Sequence, residues 1–569
     1  MKKFIIYYFL FLFFLLSFFS SGVIDSQDGF QYLSVARNIY YKGEPTAPMY
    51  EYDKRKNIHM SVIEGKDGKI YSLTSLGFSL AYLPAVAITD MVYKFYGISP
   101  EIHFPLENDW LIFLTASFTN SFFGALVGVI LFAFLLELSL SKKEAMLISF
   151  IGLFATNLLV YTKNSFPHMM FICFLLISFY VIKLHFKTKK KSLLFLSGMS
   201  YGMTAIIYSF ASVLSALPLF SYLFFLSKPQ PGISFLRNLL VKGLFLFLGF
   251  LPFMLIYIWF ENVRATPITN FSTPSAAATA ISWFSKVPVG VFIEGLFGQL
   301  FSPGRSIFLY SPVLLLPILF WFKLRKKIFP ELLSFLLMSA IYILFYASVY
   351  RVGGADQGIS ALWHGENSWG PRYLTPLIPM GMLLVGTVYI SLSKKAKYLI
   401  FLPLVLLGFY IEILGVTLPY QIKLHDLQEK FFLNGTEYKA ADYSNFLPRY
   451  SPVLNMSKKL AKLRQNFPKT FDHGIYNVRF YDGIDFTFPV GGERWRVIEG
   501  RGYISFDNLK EEKVEKFTFG MINHPIADSS SAAELSFVLN NQLLSEKPVT
   551  LKVGERNIFT IPVDQKYIK

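Results

Sequence analysis

The sequence predicts an all-α polytopic membrane protein of about eleven transmembrane helices, carrying a C-terminal extramembrane β-sandwich-like domain. Three observations predict it. Apolar runs of near-spanning length recur through the first 420 residues, lysine-rich clusters separate alternate pairs of them, and short alternating runs take over after residue 470. A hydrocarbon core ~30 Å thick needs roughly 20 apolar residues of helix to cross it. Composition agrees, with 53% hydrophobic and 16% charged residues where soluble proteins carry about 25% charged.

The spans are read at roughly 4–21, 110–138, 145–162, 165–184, 193–209, 210–226, 243–260, 305–322, 330–349, 371–392 and 398–419. Basic clusters at Ser141–Lys143, Lys183–Lys191, Ser227–Lys242, Phe322–Lys327 and Ser393–Lys397, with Lys2 and Lys3, all fall on one side of an eleven-span chain. Short loops rich in Lys and Arg stay cytoplasmic. The N-terminus is therefore expected inside, and everything after Tyr420 outside. The net charge of +17 resides largely in those clusters, so nucleic acid is not an expected partner.

One apolar run stands apart. Residues 73–93 contain Pro84 and end near Asp90 and Lys94. A crossing there would invert every later basic loop, so a juxtamembrane or re-entrant helix on the outer face is expected. The first run also fits a secretory signal, with "MKK" before the apolar stretch, but no small-x-small cleavage pattern precedes Asp25. A retained helix is expected. The single cysteine, Cys173, lies in an apolar run and offers neither a disulfide framework nor a thiol metal site.

Polar chemistry concentrates on the predicted outer face: a loop at 22–109, a turn near Asn164, loops at 261–304 and 350–370, and the tail. After Lys- and Asn-rich residues 421–470, the runs at 476–482, 484–490, 516–522, 534–540 and 557–563 alternate with period two between Gly, Asn and Pro, which reads as antiparallel strands. Three domains follow: a transmembrane domain at 1–420, a linker at 421–470 and a β-rich extracytoplasmic domain at 471–569.

Asp25 and Asp28 open the first outer loop, just before "FQYLSVARNIYYKG". Phe30, Leu33, Ala36 or Arg37, and Tyr40 recur at helical spacing, predicting an amphipathic helix along the membrane surface. Either Asp alone fits an N-cap at the positive helix end. Two at a membrane exit exceed what capping needs and make a candidate catalytic pair.

In "WHGENSWGPRYLTPLIP" (Trp363–Pro379), Arg372 stands at the outer edge of a span beside His364 and Glu366, and Arg305 in "FSPGRSIFLYSP" (Phe301–Pro312) repeats the arrangement. Such an Arg can simply snorkel. A guanidinium also offers paired donors to phosphate oxygens, making both candidate ligands of an anionic lipid headgroup. His168, beside Lys163 and Asn164, is a candidate substrate-binding residue with His364, Glu366 and Tyr71, and Lys69, Glu101 and His103 share the outer layer. A lone His there is more often structural. No P-loop, H-E-x-x-H, G-x-S-x-G or metal-spaced Cys/His cluster is present. Span interiors almost lack the ionisable relays of ion-coupled transporters. Small-xxx-small spacings at Gly124–Gly128 and Gly198–Gly202 read as helix packing.

These segments resemble the GT-C superfamily of integral-membrane glycosyltransferases, and within it the polyprenyl-phosphate-sugar-dependent branch of protein O-mannosyltransferases and the aminoarabinose lipid A transferase. The first span, the outer acidic motif and the helix "YLSVARNIYYKG" carry the resemblance. "KIYSLTSLGFSLAYLPA" (Lys69–Ala85) is similar to a juxtamembrane segment of that family. It spans about residues 1–420, with departures: the usual Asp-Glu pair reads Asp28-Gly29, and a common Arg appears as Tyr208.

The resemblance implies an inverting glycosyltransferase of a bacterial plasma membrane, acting on the extracytoplasmic face. Its donor would be a sugar on a polyprenyl phosphate, held by Arg372 with Arg305. Asp28, or Asp25, would be the base for a glycan, lipid or protein acceptor. Metal use varies in the family, and no dedicated cage is visible here, so no cofactor is expected. A lipid-linked-glycan flippase or an O-antigen ligase or polymerase is the alternative class. The first needs a charged central cavity, and the second usually gathers its key residues in one outer loop.

Overall fold

A computed structural model describes residues 2–24, 26–47, 52–53, 58–59, 62–98, 109–227, 234–264, 287–352, 359–361, 363–365, 368–417, 444–458, 460–461 and ten strands between 476 and 562. Asp25, Glu101, His103, Glu366 and most of the 421–470 segment lie outside the described residues. The chain divides into two compact units, Met1–Glu51 with Ser61–Leu460, and Tyr52–Met60 with Ala461–Lys569.

The first unit is a multi-pass membrane protein. Its helices are α1 (Lys2–Ser17), α2 (Gln27–Lys42), α3 (Leu76–Phe95), α4 (Trp110–Glu137), α5 (Lys142–Phe154), α6 (Leu158–Lys163), α7 (His168–Thr188) and α8 (Ser192–Ile207). They continue with α9 (Ser209–Leu226), α10 (Phe235–Arg264), α11 (Val289–Phe301), α12 (Phe329–Ala347), α13 (Leu377–Ser391) and α14 (Lys394–Thr417). Among the described residues, seven are long and apolar enough to cross a membrane: α3, α4, α7, α9, α10, α12 and α14. Four shorter apolar helices, α1, α8, α11 and α13, join them. The 73–93 run forms one continuous helix through Pro84, packed against α2 and α4.

Several expected spans differ in detail. The 145–162 run breaks into α5 and α6 around Ala155–Asn157, where the Thr156 hydroxyl competes with the helix by accepting the Leu158 amide and donating to the Gly152 carbonyl. The 305–322 run becomes four short helical segments, Ile307–Tyr310, Pro312–Leu314, Leu315–Leu319 and Trp321–Lys327, interrupted at Ser311 and Phe320. The 243–260 run extends at both ends into the 30-residue α10, because long charged side chains reach the polar interface without ending a helix.

Packing follows the small residues. A Cβ on Gly198 would lie 1.9 Å from the Leu246 carbonyl oxygen, and one on Gly202 2.7 Å from the Phe253 ring, so α8 and α10 touch backbone to backbone. The opposite flank of α10 leaves Leu240, Leu244, Phe247, Leu255 and Trp259 exposed, as a lipid-facing surface requires. At one end of the bundle Lys183 Nζ meets Glu331 Oε1 at 2.6 Å, and Tyr222 donates to the same oxygen at 3.0 Å.

Two hairpins belong to this unit, β3 (Val62–Glu64) with β4 (Ile70–Ser72), and β5 (Tyr350–Val352) with β6 (Ile359–Ala361). The second unit holds β1 (Tyr52–Asp53), β2 (Ile58–His59) and the tail strands. β7 (Tyr476–Tyr481) pairs with β10 (Tyr503–Asn508) around β8 (Ile484–Val490) and β9 (Glu493–Ile498). β11 (Lys516–Ile522) pairs with β16 (Arg556–Pro562) around the shorter pairs β12 (Ala533–Leu535) with β15 (Val549–Leu551) and β13 (Val538–Leu539) with β14 (Gln542–Leu543). Among the described residues these pairings are nested in sequence, each forming its own two-stranded antiparallel sheet.

Candidate functional site

The helix after the first span starts at Gln27, and its cap is Ser26, whose Oγ accepts the Gly29 amide at 3.0 Å. Asp28 is thus not the cap. It stands in the first turn, where a carboxylate complements the positive helix end. Gly29 sets the position of that turn: a Cβ there would meet Ser165 Cβ at 2.3 Å, so α2 begins in backbone contact with the turn between α6 and α7.

Asp28 and Tyr32 form one wall of a cavity of about 270 Å³. Leu73–Leu76 at the start of α3 form the second wall, Ile206 and Tyr208–Phe210 the third, and Ile256, Tyr257, Phe260, Glu261 and Arg264 of α10 the fourth. Three helices begin here. Ser75 flanks α3 without capping it, its Oγ bonded instead to the Ile207 carbonyl, and Tyr208 breaks the chain between α8 and α9 with φ −154° and ψ 81°. Uncapped amides at helix starts favour a negative ligand.

Arg264 supplies the charge. It is 3% exposed, and its Nη1 donates to the carbonyls of Ser72 and Thr74 at 2.8 Å each. Its Nη2 donates to Glu261, and its guanidinium lies 4.6 Å from the Phe260 ring centre. Its Nε has no acceptor among the described residues. Lys66 fastens the β3–β4 hairpin to the same helix end, its amide donating to the Val263 carbonyl at 3.0 Å and its Nζ to Asn262 Oδ1 at 2.5 Å. Burial foremost, and the charge of Asp28 next, push the Tyr32 phenol above its ordinary value.

Of the residues predicted from sequence, Asp28, Arg372 and His168 come together around Tyr208. Asp28 lines the same cavity as Tyr208, and Arg372 reaches Tyr208 through Tyr373 and Tyr346. The His168 ring lies 5.5 Å from Tyr208, edge-on, and 5.2 Å from Tyr161. Arg372 stacks at 4.9 Å over both Phe166 and Tyr373 and donates to Tyr373 Oη at 3.0 Å. Tyr373 stacks on Tyr346 at 4.3 Å, and Tyr346 Oη donates to Tyr208 Oη at 3.4 Å. His168 is 3% exposed, with no described partner for either ring nitrogen.

The others sit elsewhere. Arg305 is buried and turned inward, donating to Asn445 Oδ1 at 3.1 Å and to Ser368 and the Gly370 carbonyl. It braces the loop that carries Arg372. His364 packs edge-on against Trp363 at 5.7 Å. Tyr71 lies behind the cavity wall, its ring 6.2 Å from Phe260 and its hydroxyl donating to Asp67 at 2.7 Å. Asp25 and Glu366 are outside the described residues, and among those described no three His, Cys, Asp or Glu side chains gather as a metal would require.

Sequence reasoning missed Arg264 and Glu261. The signal was present as "ENVR" (Glu261–Arg264), an i,i+3 pair of opposite charges closing an apolar run.

No protein-family model matches the chain. No curated protein matches it either. Among solved structures it is similar to the aminoarabinose transferase ArnT from Cupriavidus metallidurans in the apo state, at 11% identity and TM-score 0.40, covering 82% of this chain and 79% of that one. An Archaeoglobus fulgidus oligosaccharyltransferase in complex with zinc and sulfate aligns at 12% identity and TM-score 0.38, over 76% of this chain and 54% of that one. The archaeal oligosaccharyltransferase AglB from the same organism, in complex with an inhibitory peptide and a dolichol-phosphate, gives 9% and 0.37, over 79% and 60%. This chain thus spans little more than half of either oligosaccharyltransferase. Superpositions this loose leave the fold and the chemistry to rest on the chain's own helices and side chains.

Proposed function

We propose that the chain is an inverting glycosyltransferase that moves a sugar from a polyprenyl-phosphate donor to an acceptor on the extracytoplasmic face of the membrane. One observation carries this reading: a carboxylate, a buried guanidinium and three helix N-termini share one cavity at the end of a lipid-facing helix. A base and an anion site side by side suit transfer of a group from a phosphate leaving group to a hydroxyl.

In this scheme the donor's phosphate lies against Arg264 and the open amides of α3 and α9. Arg372 adds positive potential from behind Tyr208. Asp28 accepts the proton of the acceptor hydroxyl as its oxygen bonds to the anomeric carbon; Asp25 is the competing candidate. The carbon–phosphate-oxygen bond breaks on the opposite side, its electron pair going to the phosphate, and the anomeric centre inverts. Donors placed where charge develops lower the barrier. The lysine distribution supports an outward-facing cavity, with the N-terminus cytoplasmic. The sparse ionisable residues of the spans speak against a flippase.

The test is transfer by purified protein in proteoliposomes, using polyprenyl phosphates that carry radiolabelled hexoses or pentoses. Wild type should transfer, and Asp28→Asn should lose about 10²–10⁴-fold in kcat with unchanged thermal unfolding. Full transfer by a folded Asp28→Asn protein removes Asp28 as base. A rise in donor KM larger in Arg264→Gln than in Arg372→Gln is expected, and the reverse order would return the phosphate to Arg372.

A further inference from the structure

We infer that Glu261 is an internal placeholder for the donor's phosphate, holding part of the Arg264 guanidinium until the phosphate displaces it. The inference rests on the reading of the cavity as a phosphate site and adds a residue that governs how long a phosphate stays there.

A guanidinium carries five N–H groups, and its Nε/Nη2 edge is the fork that grips a phosphate with two parallel hydrogen bonds. In Arg264 the Nη1 protons are committed to the Ser72 and Thr74 carbonyls, which fix the fork against the β3–β4 hairpin. The remaining edge is half taken: Nη2 donates to Glu261 Oε1, while Nε has no acceptor among the described residues. Glu261 sits one turn before Arg264 on α10, is 5% exposed and lines the same cavity. A phosphate needs both positions of that edge. It gains them only when Glu261 yields Nη2, and it loses them when Glu261 returns.

Two consequences follow. Two anions cannot share one buried edge without repulsion, so Glu261 weakens phosphate binding. The same competition ejects the polyprenyl monophosphate left after transfer, so Glu261 speeds turnover. Because the exchange is of hydrogen bonds alone, no proton or bond is consumed.

The test uses farnesyl phosphate, a short isoprenyl monophosphate, titrated calorimetrically into the full-length protein in nanodiscs. Glu261→Gln should bind it about 5- to 150-fold more tightly than wild type, the usual range for coupling between two ligands, and should lower both KM and kcat in the transfer assay. Glu261→Asp keeps the charge on a shorter arm and should bind between the two, which serves if Glu261→Gln does not fold. Unchanged or weaker binding in a folded Glu261 variant overturns the placeholder role. Wild-type affinity in Arg264→Gln overturns the phosphate reading itself, whereas loss of binding there beside unchanged Glu261→Gln overturns the placeholder alone.

Discussion

Gly29→Ala should separate the position of Asp28 from its chemistry. Two opposing effects act at this site. Alanine is the better helix former, by about 1 kcal/mol, so an exposed Gly29 would gain from the change. The new Cβ, however, would sit 2.3 Å from Ser165 Cβ, where ordinary contact begins near 3.4 Å. Ser165 Cβ is fixed to its own backbone and cannot swing aside, so the first turn of α2 must retreat by about 1 Å. Overpacking of this kind costs about 1–3 kcal/mol, which outweighs the gain in propensity. Misplacing a reacting group by about 1 Å costs up to 10²-fold in rate, so kcat should fall by one to two orders of magnitude while the carboxylate itself is intact. The assay is transfer kinetics beside thermal unfolding in detergent. Ser165→Gly in the same chain removes the opposing Cβ and should restore much of both. Wild-type kcat in Gly29→Ala, or a double variant no better than the single one, would refute the steric account of how α2 is placed.

At the far end of the bundle, Glu331→Gln should destabilise by about 3–5 kcal/mol, because it strands Lys183 half-buried with its partner charge removed; a thermal shift within 2 °C of wild type would contradict this. Replacing Tyr222 by Phe should cost about 1 kcal/mol by the same measurement, since only one hydrogen bond to Glu331 is lost. In the β3–β4 turn, the hydroxyl of Tyr71 foremost holds the Asp67 carboxyl below its usual range. A depressed folded value contributes stability above the unfolded pKa and loses it as pH falls through the folded one. Hydrogen exchange of the hairpin amides should therefore be flat from about pH 5 to 8, after correction for intrinsic rates, and protection should decline only below about pH 4.

Much of the fold was legible in the sequence because two physical signals dominate it. Apolar runs mark helices in lipid, and the tail alternation at 484–490 and 516–522 coincides with β8 and β11. Breaks were not legible. Ser311, Asn157 and Tyr208 interrupt helices inside uniformly apolar stretches, and hydropathy does not register a lost backbone hydrogen bond. At the site, the Asp-rich start of the first outer loop contributes Asp28 to one wall of the cavity. The cap was misjudged because Ser26 lies between two aspartates that are equally good caps. Arg305 and Arg372 looked equivalent as outer-edge arginines, yet one is folded into its neighbour's support loop and the other faces an aromatic cage. Burial, which separates them, is a property of the tertiary structure. Arg264 escaped notice because its helix runs four residues past the expected end of its span.

That helix has one further consequence. α10 meets the bundle chiefly along α8, at the glycine contact of Gly198 with Gly249, and shows its other flank to lipid. A bilayer thicker or thinner than its apolar length is accommodated by tilting, and a tilt about that glycine pivot carries Arg264 and Glu261 with it at the end of the lever. Host-membrane thickness thereby acts on the cavity's fourth wall, and the proposed transfer would depend on the lipid as well as on the protein.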